Sequence, residues 1–409
     1  MKSFAIILLS NGTFGGAQRR FTNLFLEFRL RRRLNAYFIV TPSMKRQIAE
    51  IYGDQALDGI LTIGDEVPLL DTSAFVSSPL SKSKIAGPKR ALLKQSIVYK
   101  IYYYFKTKRI QFKQFKEINH LAKQYEIDRF LAVYTGVLPL YFYLNRHKNR
   151  PRIVFSNMDS WFSHLSEAPE KDWFRQYDLF NRAHAECDMV DVLSPFIVEG
   201  LMKRGLNLPA TKYSITACSF IDYSRCSAGN KDKLSVVYAA RLERDKNPLD
   251  FVNAALQLAS EFPDVDFHIA GDGRLAQDIQ RLVKAKSPTN VIFHGFIENP
   301  MTLFAESSLF VSLQTANNYP SQAVLEAMAC GNAIVATDVG DTRMFINDEN
   351  GYLIGSGHTE LSSALRMCLQ RPEIIKQKGK FASQFVRENF TINKAANYYL
   401  NLIYPSNEA

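Results

Sequence analysis

Short apolar runs recur along this chain, and most are followed by a stretch of helical periodicity. In the first half they occupy residues 4–10, 36–40, 60–63, 130–134, 152–155 and 189–193. In the second half they occupy residues 234–240, 265–270, 291–294, 309–313 and 333–336, with a shorter one near Tyr352. Runs of this length without regular alternation predict strands buried on both faces, as in a parallel sheet. The stretches between them predict helices. Phe21, Leu24, Phe25 and Phe28 fall on one face of the first, and Pro248 opens another. Residues 204–233 are turn-rich and charged, and the domain linker is placed within them. Two βα series joined by a linker predict an α/β protein with two Rossmann-like, doubly wound domains facing across a cleft. The expected limits are residues 1–208 and 209–388, followed by a C-terminal helix within 389–409 that packs back on the first domain. Ligands of such sheets lie beyond the carboxyl ends of the strands, so the loops there are where chemistry is sought.

The composition, 46% hydrophobic and 22% charged over 409 residues, is that of a globular protein. No apolar run approaches the roughly 20 residues of a membrane helix. The opening MKSFAIILLS has an apolar core short for a secretory leader and is read as a buried strand. Cys187, Cys218, Cys226, Cys330 and Cys368 are odd in number and form no CxxC pair. That argues against a disulfide framework or zinc site and for a reducing, cytoplasmic setting. No metal or cofactor is expected.

Charge changes the picture more. The net charge is +10, and between Thr72 and Lys116 there are eleven Lys or Arg with no Asp or Glu. One segment therefore carries the whole excess. Its latter part sets Ile97, Ile101, Tyr104, Phe105, Phe112, Phe115, Ile118 and Leu121 at helical spacing among basic residues. This is the pattern of an amphipathic helix packed on its own domain. The alternative is that residues 82–116 meet an anionic membrane surface, because basic residues beside aromatic ones suit lipid headgroups. Nucleic acid is not expected as a partner, since no nucleic-acid module surrounds the patch.

Several residues at strand ends could carry chemistry. Gly15 and Gly16 lie between the first strand and a helix, either as a phosphate seat or as a plain βα turn. Asp159 and His164 follow the run at 152–155, where Asp159 could equally cap a helix. In AARLERDKNP, Arg241 and Lys246 flank a tight turn and could converge on a diphosphate; a surface salt-bridge cluster with Glu243 and Asp245 is the other reading. Gly271 allows a positive φ or a close approach by a ligand. Phe296 and Ile297 follow the next strand, where backbone groups could meet a planar base. Ser321, Gln322 and Ala323 open a helix whose free amides could receive a phosphate. Glu326, one turn on, is a carboxylate among apolar neighbours and could accept hydrogen bonds from two ribose hydroxyls.

AARLERDKNP, IAGDG, HGF, PSQAVLEAMACGNAIVATDVG and NGYLI together resemble the C-terminal domain of glycosyltransferase family 4, and GGAQRRF resembles that family's GGAE-type loop. The likeness is specific over about residues 233–353 and loose across the first half. It implies the GT-B fold and a retaining transfer of sugar from a nucleoside-diphosphate donor to a glycan or lipid-linked acceptor, without a catalytic metal. Surface-polysaccharide or glycolipid assembly at the inner membrane face is the expected setting. The resemblance assigns Arg241 and Lys246 to the diphosphate, Glu326 to the ribose, and Gly15 and Gly16 to the loop over the phosphates and reacting sugar. One departure stands out. Asn317 and Asn318 occupy the place of the family's first Glu, which contacts the donor sugar; Asn keeps hydrogen-bonding capacity without the charge. A catalytically weak, nucleotide-binding or scaffolding subunit of the same architecture is the alternative.

Overall fold

In a computed structural model the described residues are 2–10, 14–31, 34–64, 97–144, 150–157, 182–203, 209–216, 219–223, 226, 229–317 and 321–405. Asp159, His164 and Asn318 lie outside them, as does most of the basic segment before residue 97.

The chain forms two compact units, Met1–Thr216 with Ala396–Ala409, and Ala217–Ala395. The divisions thus fall some residues past the expected 208 and 388. Each unit is built on a parallel sheet. The first has seven strands: β1 (Lys2–Leu8), β2 (Leu34–Val40), β3 (Ile60–Thr62), β4 (Ile127–Val133), β5 (Arg152–Asn157), β6 (Met189–Val192) and β7 (Tyr213–Ile215), in the order β3-β2-β1-β4-β5-β6-β7. The second has six: β8 (Ser235–Ala239), β9 (Asp266–Ala270), β10 (Val291–Gly295), β11 (Leu309–Ser312), β12 (Ala333–Thr337) and β13 (Gly351–Ile354), in the order β10-β9-β8-β11-β12-β13. The interior strands β8 and β12 are buried at every residue, which is why they read as apolar without alternation. Two Rossmann-like α/β units are therefore present, as the alternating runs predict. The division between the units falls within the stretch 204–233, at residues 216–217, and the same stretch also supplies β7, which pairs in parallel with β6.

The first unit ends in the helix Ile392–Ile403, which begins in the second unit. Its residues beyond 396 pack on the first unit's strands, with Tyr399 and Ile403 fully buried. Arg129 and Arg152 donate to the carbonyls of Ile403 and Leu402 at 2.8 and 3.2 Å, serving orphan groups at the helix end. The centre of this packing is a charge. Asp191 on β6 accepts from the hydroxyls of Ser156 at 2.6 Å, Tyr398 at 2.7 Å and Tyr399 at 2.9 Å. Burial pushes its carboxyl up to about 6, although the three hydroxyls oppose that shift.

A folded pKa above the unfolded one means that the proton is held more tightly in the native state. This contribution to stability is complete below the ordinary carboxylate pKa of 3.8 and is lost as pH rises through about 6. Asp191→Asn should abolish it. The stability of Asp191→Asn relative to wild type, from urea denaturation of the first unit, should rise by about 3 kcal/mol between pH 3.5 and pH 7. A pH-independent difference would show that the carboxylate does not titrate there.

Candidate active site

In the second sheet the strand order reverses between β8 and β11, and open α/β sheets bind ligands beyond the carboxyl ends at such a point. The loops following β8 and β11 carry Arg241, Lys246 and Asn317. After β8 the chain makes a 3₁₀ turn, Arg244–Lys246; Asn247 then takes a left-handed conformation at φ 47°, and Pro248 begins the helix Pro248–Leu258. Asn tolerates that conformation and Pro suits a first helical turn, so KNP sets the geometry of the turn. The buried Tyr238 hydroxyl fixes it further by donating to the carbonyl of Lys246 at 2.7 Å.

The two cations differ. The Lys246 side chain is only 14% exposed; its Nζ donates to Gln314 Oε1 at 2.5 Å and lies 3.2 Å from Asp245 Oδ2. Arg241 is exposed, and no hydrogen bond or ion pair holds its guanidinium among the described residues. The anticipated salt-bridge cluster is thus divided: Asp245 faces Lys246, whereas Glu243 pairs with Arg274 at 3.0 Å. The turn is stitched to the loop after β11 by Thr315, whose amide donates to the carbonyl of Asp245 at 3.1 Å. Thr337, at the end of β12, donates from its hydroxyl to the carbonyl of Gln314 at 2.6 Å.

Gly271 has a structural explanation. Its φ is +139°, and a Cβ there would stand 1.9 Å from the carbonyl oxygen of Ala240. The close approach is therefore to the loop bearing Arg241. Backbone bonds from Leu242 to Asp272 at 2.9 Å and from Gly271 to Gly295 at 2.7 Å join the ends of β8, β9 and β10. Beyond Gly295, Phe296 is 76% exposed, while Ile297 packs on the apolar cluster beneath the sheet.

Helix Gln322–Ala329 starts at Ser321, which is buried and whose hydroxyl makes no capping bond. Gln322 is bridged: its amide nitrogen donates to Glu326 Oε1 at 3.2 Å, and its oxygen accepts from the Ser219 hydroxyl at 2.8 Å. This holds the Glu326 carboxylate on the helix. Ala323 packs against the apolar cluster below. Asn317 is engaged with the next loop: its Oδ1 accepts from the amide of Asp341 at 3.1 Å and its Nδ2 lies 3.5 Å from Asp341 Oδ2.

In the first unit, order reverses between β1 and β4, and the Gly15–Gly16 turn follows β1. Gly15 N–H donates to Gln18 Oε1 at 3.1 Å, and Gln18 donates to the Ser10 hydroxyl at 2.8 Å. A Cβ at Gly16 would meet nothing within 4 Å, so packing does not require glycine there. Among the described residues there is no group of three or more His, Cys, Asp or Glu placed to hold a metal ion.

The sequence reading did not single out Gln314, Ser219 or Asp341. Gln314 had a signal: it is a polar residue just past a buried strand, the criterion that singled out Asp159.

Known proteins bear on this edge of the sheet. The family described as glycosyl transferases group 1 matches residues 233–371. D-inositol 3-phosphate glycosyltransferase of Arthrobacter sp. (strain FB24) is 29% identical over 189 residues, which is 44% of this chain and 41% of that protein. N-acetyl-alpha-D-glucosaminyl L-malate synthase of Bacillus anthracis is 28% identical over 172 residues, 41% of this chain and 45% of that protein. The chain spans less than half the length of the curated relatives it matches, 46% of one and 41% of another. Among solved structures, HepE of Anabaena in complex with UDP aligns with a TM-score of 0.70 at 15% identity, over 98% of this chain and 99% of that one. The lipopolysaccharide outer core galactosyltransferase WaaB aligns at 0.66 and 15% identity, over 99% of both chains. The chain is thus similar in sequence to glycosyl transferases group 1 over residues 233–371, and across nearly its whole length it has the GT-B fold of two Rossmann-like units.

Proposed function

We propose that the protein is a retaining glycosyltransferase of family 4 that moves a sugar from a nucleoside-diphosphate donor to a glycan or lipid-linked acceptor in surface-polysaccharide assembly. The observation that carries this reading is the unpaired Arg241 guanidinium beside the half-buried Lys246 turn, at the switch point of the sheet that matches the glycosyltransferase family. Two cations there, Lys246 held by Gln314 and Asp245 and Arg241 free to close on the ligand, stabilise the charge that develops on a departing diphosphate. The first turn of helix Gln322–Ala329 offers amides to a phosphate. Glu326, steadied by Gln322, accepts from ribose hydroxyls, and the exposed Phe296 lies where a base would stack. That HepE was solved with UDP supports the choice of donor class. Gly16, open on its Cβ side, leaves room for the phosphates and reacting sugar. From the sequence alone, Asp159 and His164 remain the candidates for contact with the acceptor or reacting sugar, and Asn318 for contact with the donor sugar. No metal or cofactor takes part.

The test is transfer itself. The full chain is incubated with a panel of UDP-, GDP- and ADP-sugars and lipid-linked glycan acceptors; products are detected by mass spectrometry and their anomeric configuration is read by NMR. The expected result is a glycosylated acceptor with the donor's anomeric configuration. Inversion would sink the retaining mechanism. Nucleotide binding without transfer on any pair would favour a scaffolding subunit instead.

The same reading places the enzyme on the cytoplasmic membrane face through its basic helix. Within Ile97–Gln124, Phe105 is 65% and Phe112 41% exposed, and Arg109, Lys113 and Lys116 share their side. These positions form one stripe at helical spacing, away from the buried Ile118 and Ala122, with Phe112 at its border stacking on the buried Phe115 at 6.2 Å. The Lys116 ammonium stands 4.7 Å from the Phe112 ring centroid. Among the described residues no helix is long and apolar enough to cross a membrane, so attachment is peripheral in this reading. Co-sedimentation with anionic vesicles should be strong at 20 mM salt, on the order of tenfold weaker at 300 mM, and reduced by Phe105→Ser with Phe112→Ser. Equal partitioning onto neutral vesicles would remove the electrostatic part of this proposal.

A further inference from the structure

Two histidines meet at the edge of the second sheet. β10 is the edge strand and β9 is its neighbour. Phe267, Ile269, Val291 and Phe293 pack into one apolar cluster on one face of these strands. Alternation puts His268 and His294 on the other face. The ladder pairs Ile292 with His268 and Phe293 with Ile269, then shifts register so that Gly295 meets Ala270. His294 is the extra residue of that bulge, and a bulge re-aims the side chain it carries. The result is a direct contact: His268 Nδ1 and His294 Nε2 are 3.0 Å apart, with the ring centroids at 5.2 Å. His294 is exposed and His268 half-buried, so solvent reaches the pair.

Between two neutral rings this contact is a hydrogen bond in which one imidazole donates and the other accepts. At a sheet edge open to water such a bond adds little to stability, since water serves either ring as well. The separation has another use. Metal–imidazole bonds are about 2.0–2.1 Å long, so two such ligands at about 90° stand about 3 Å apart. The pair already has the spacing of adjacent ligands of one ion, and a turn of each ring aims its lone pair at that point. Imidazole nitrogen suits nickel, copper and zinc, and a near-right angle suits the tetragonal sites of nickel and copper. Burial, and then the neighbouring His294, hold His268 down to about 4, so its ring is neutral and able to ligate at neutral pH. Asp266, two residues before His268 on the same face, pairs with Lys233 at 2.7 Å. Among the described residues the protein therefore supplies two ligands, and water completes the shell.

We propose that His268 and His294 form a two-imidazole site for a divalent late transition-metal ion, Ni²⁺ or Cu²⁺ ahead of Zn²⁺. The ion takes the place of the shared proton. The ring that donated moves its proton to its other nitrogen, so no net proton leaves at neutral pH. The bound ion ties the edge strand β10 to β9 at the bulge, one residue before Gly295, whose carbonyl accepts from Gly271. The site calls on none of the residues assigned to the donor and stands without the function proposed above.

The experiment titrates NiCl₂ into the tag-free full chain by calorimetry. The expected result is a saturable site whose affinity is at least tenfold weaker in His268→Ala and in His294→Ala. His358→Ala, which removes an exposed histidine outside the pair, should bind as the wild type does. Because His294 is exposed, its replacement keeps the fold and decides the matter even if the half-buried His268 does not tolerate Ala. Excess Ni²⁺ should raise the thermal midpoint of the wild type and leave that of His294→Ala unchanged, since an ion held only by the folded chain stabilises it. No saturable uptake, or equal uptake by wild type and His294→Ala, would overturn the site. Weakening in His294→Ala alone, with a folded His268→Ala binding as wild type, would overturn the two-ligand geometry.

Discussion

Lys246→Ala is expected to lower kcat/KM for sugar transfer by about 100- to 1000-fold, the loss typical of one preorganised group facing developing negative charge. Arg241→Ala should lose a comparable factor. Stability separates this from general damage. Arg241 is exposed and unpaired, so its removal should leave stability within about 0.5 kcal/mol of wild type. Lys246 holds Gln314 Oε1 at 2.5 Å, and its loss frees one polar group at the sheet edge. That costs about 1 kcal/mol. If both cations act on a departing diphosphate, as proposed, the defect should fall mainly on kcat and much less on KM. Steady-state kinetics with a set of donor concentrations, beside thermal unfolding of each variant, make the comparison. Wild-type turnover in both variants would take Arg241 and Lys246 out of the mechanism.

Gly271→Ala is expected to be the most destabilising single change at this edge of the sheet, at about 3–5 kcal/mol. Its φ of +139° disfavours any side chain, and the added methyl would stand 1.9 Å from the Ala240 oxygen. One loop must move, and the backbone bonds joining the ends of β8, β9 and β10 go with it. Gly295→Ala is the internal control. It also has positive φ, at +69°, yet nothing lies within 4 Å of its Cβ position, so only the conformational cost of about 1 kcal/mol applies. Urea denaturation of the two variants should separate them by at least 2 kcal/mol, about the size of the missing clash. If they unfold alike, the clash has been relieved cheaply and the glycine at 271 must serve a ligand instead.

The strands were legible because β8 and β12 are buried throughout and the chain has no reason to place polar residues in them. β7 was not, because its residues are half-exposed or exposed at the sheet's edge and sit among turn formers. The site shows the same division. That Arg241, Lys246 and Gly271 lie at carboxyl ends follows from where apolar runs stop. Their partners do not: Gln314 is 68 residues from Lys246, Ser219 is 103 from Gln322, and Asp341 is 24 from Asn317. Nothing in a local pattern joins residues so far apart. Nor can spacing tell whether a glycine yields to a ligand or to a neighbouring backbone, and Gly271 yields to Ala240. Asn317 stands in sequence where a donor-contacting Glu is expected, and only the structure shows that its carboxamide oxygen also accepts from the amide of Asp341.

On the proposed function, the carboxyl edge of the second sheet seats a nucleoside diphosphate. Calorimetric titration of UDP, GDP and ADP into the wild-type chain and into Lys246→Ala tests it most directly. One of the three should bind the wild type with micromolar affinity, and its dissociation constant should rise at least tenfold, about 1.4 kcal/mol, in the variant. Binding of none of the three, or equal binding to both proteins, would show that this edge does not seat a diphosphate through Lys246.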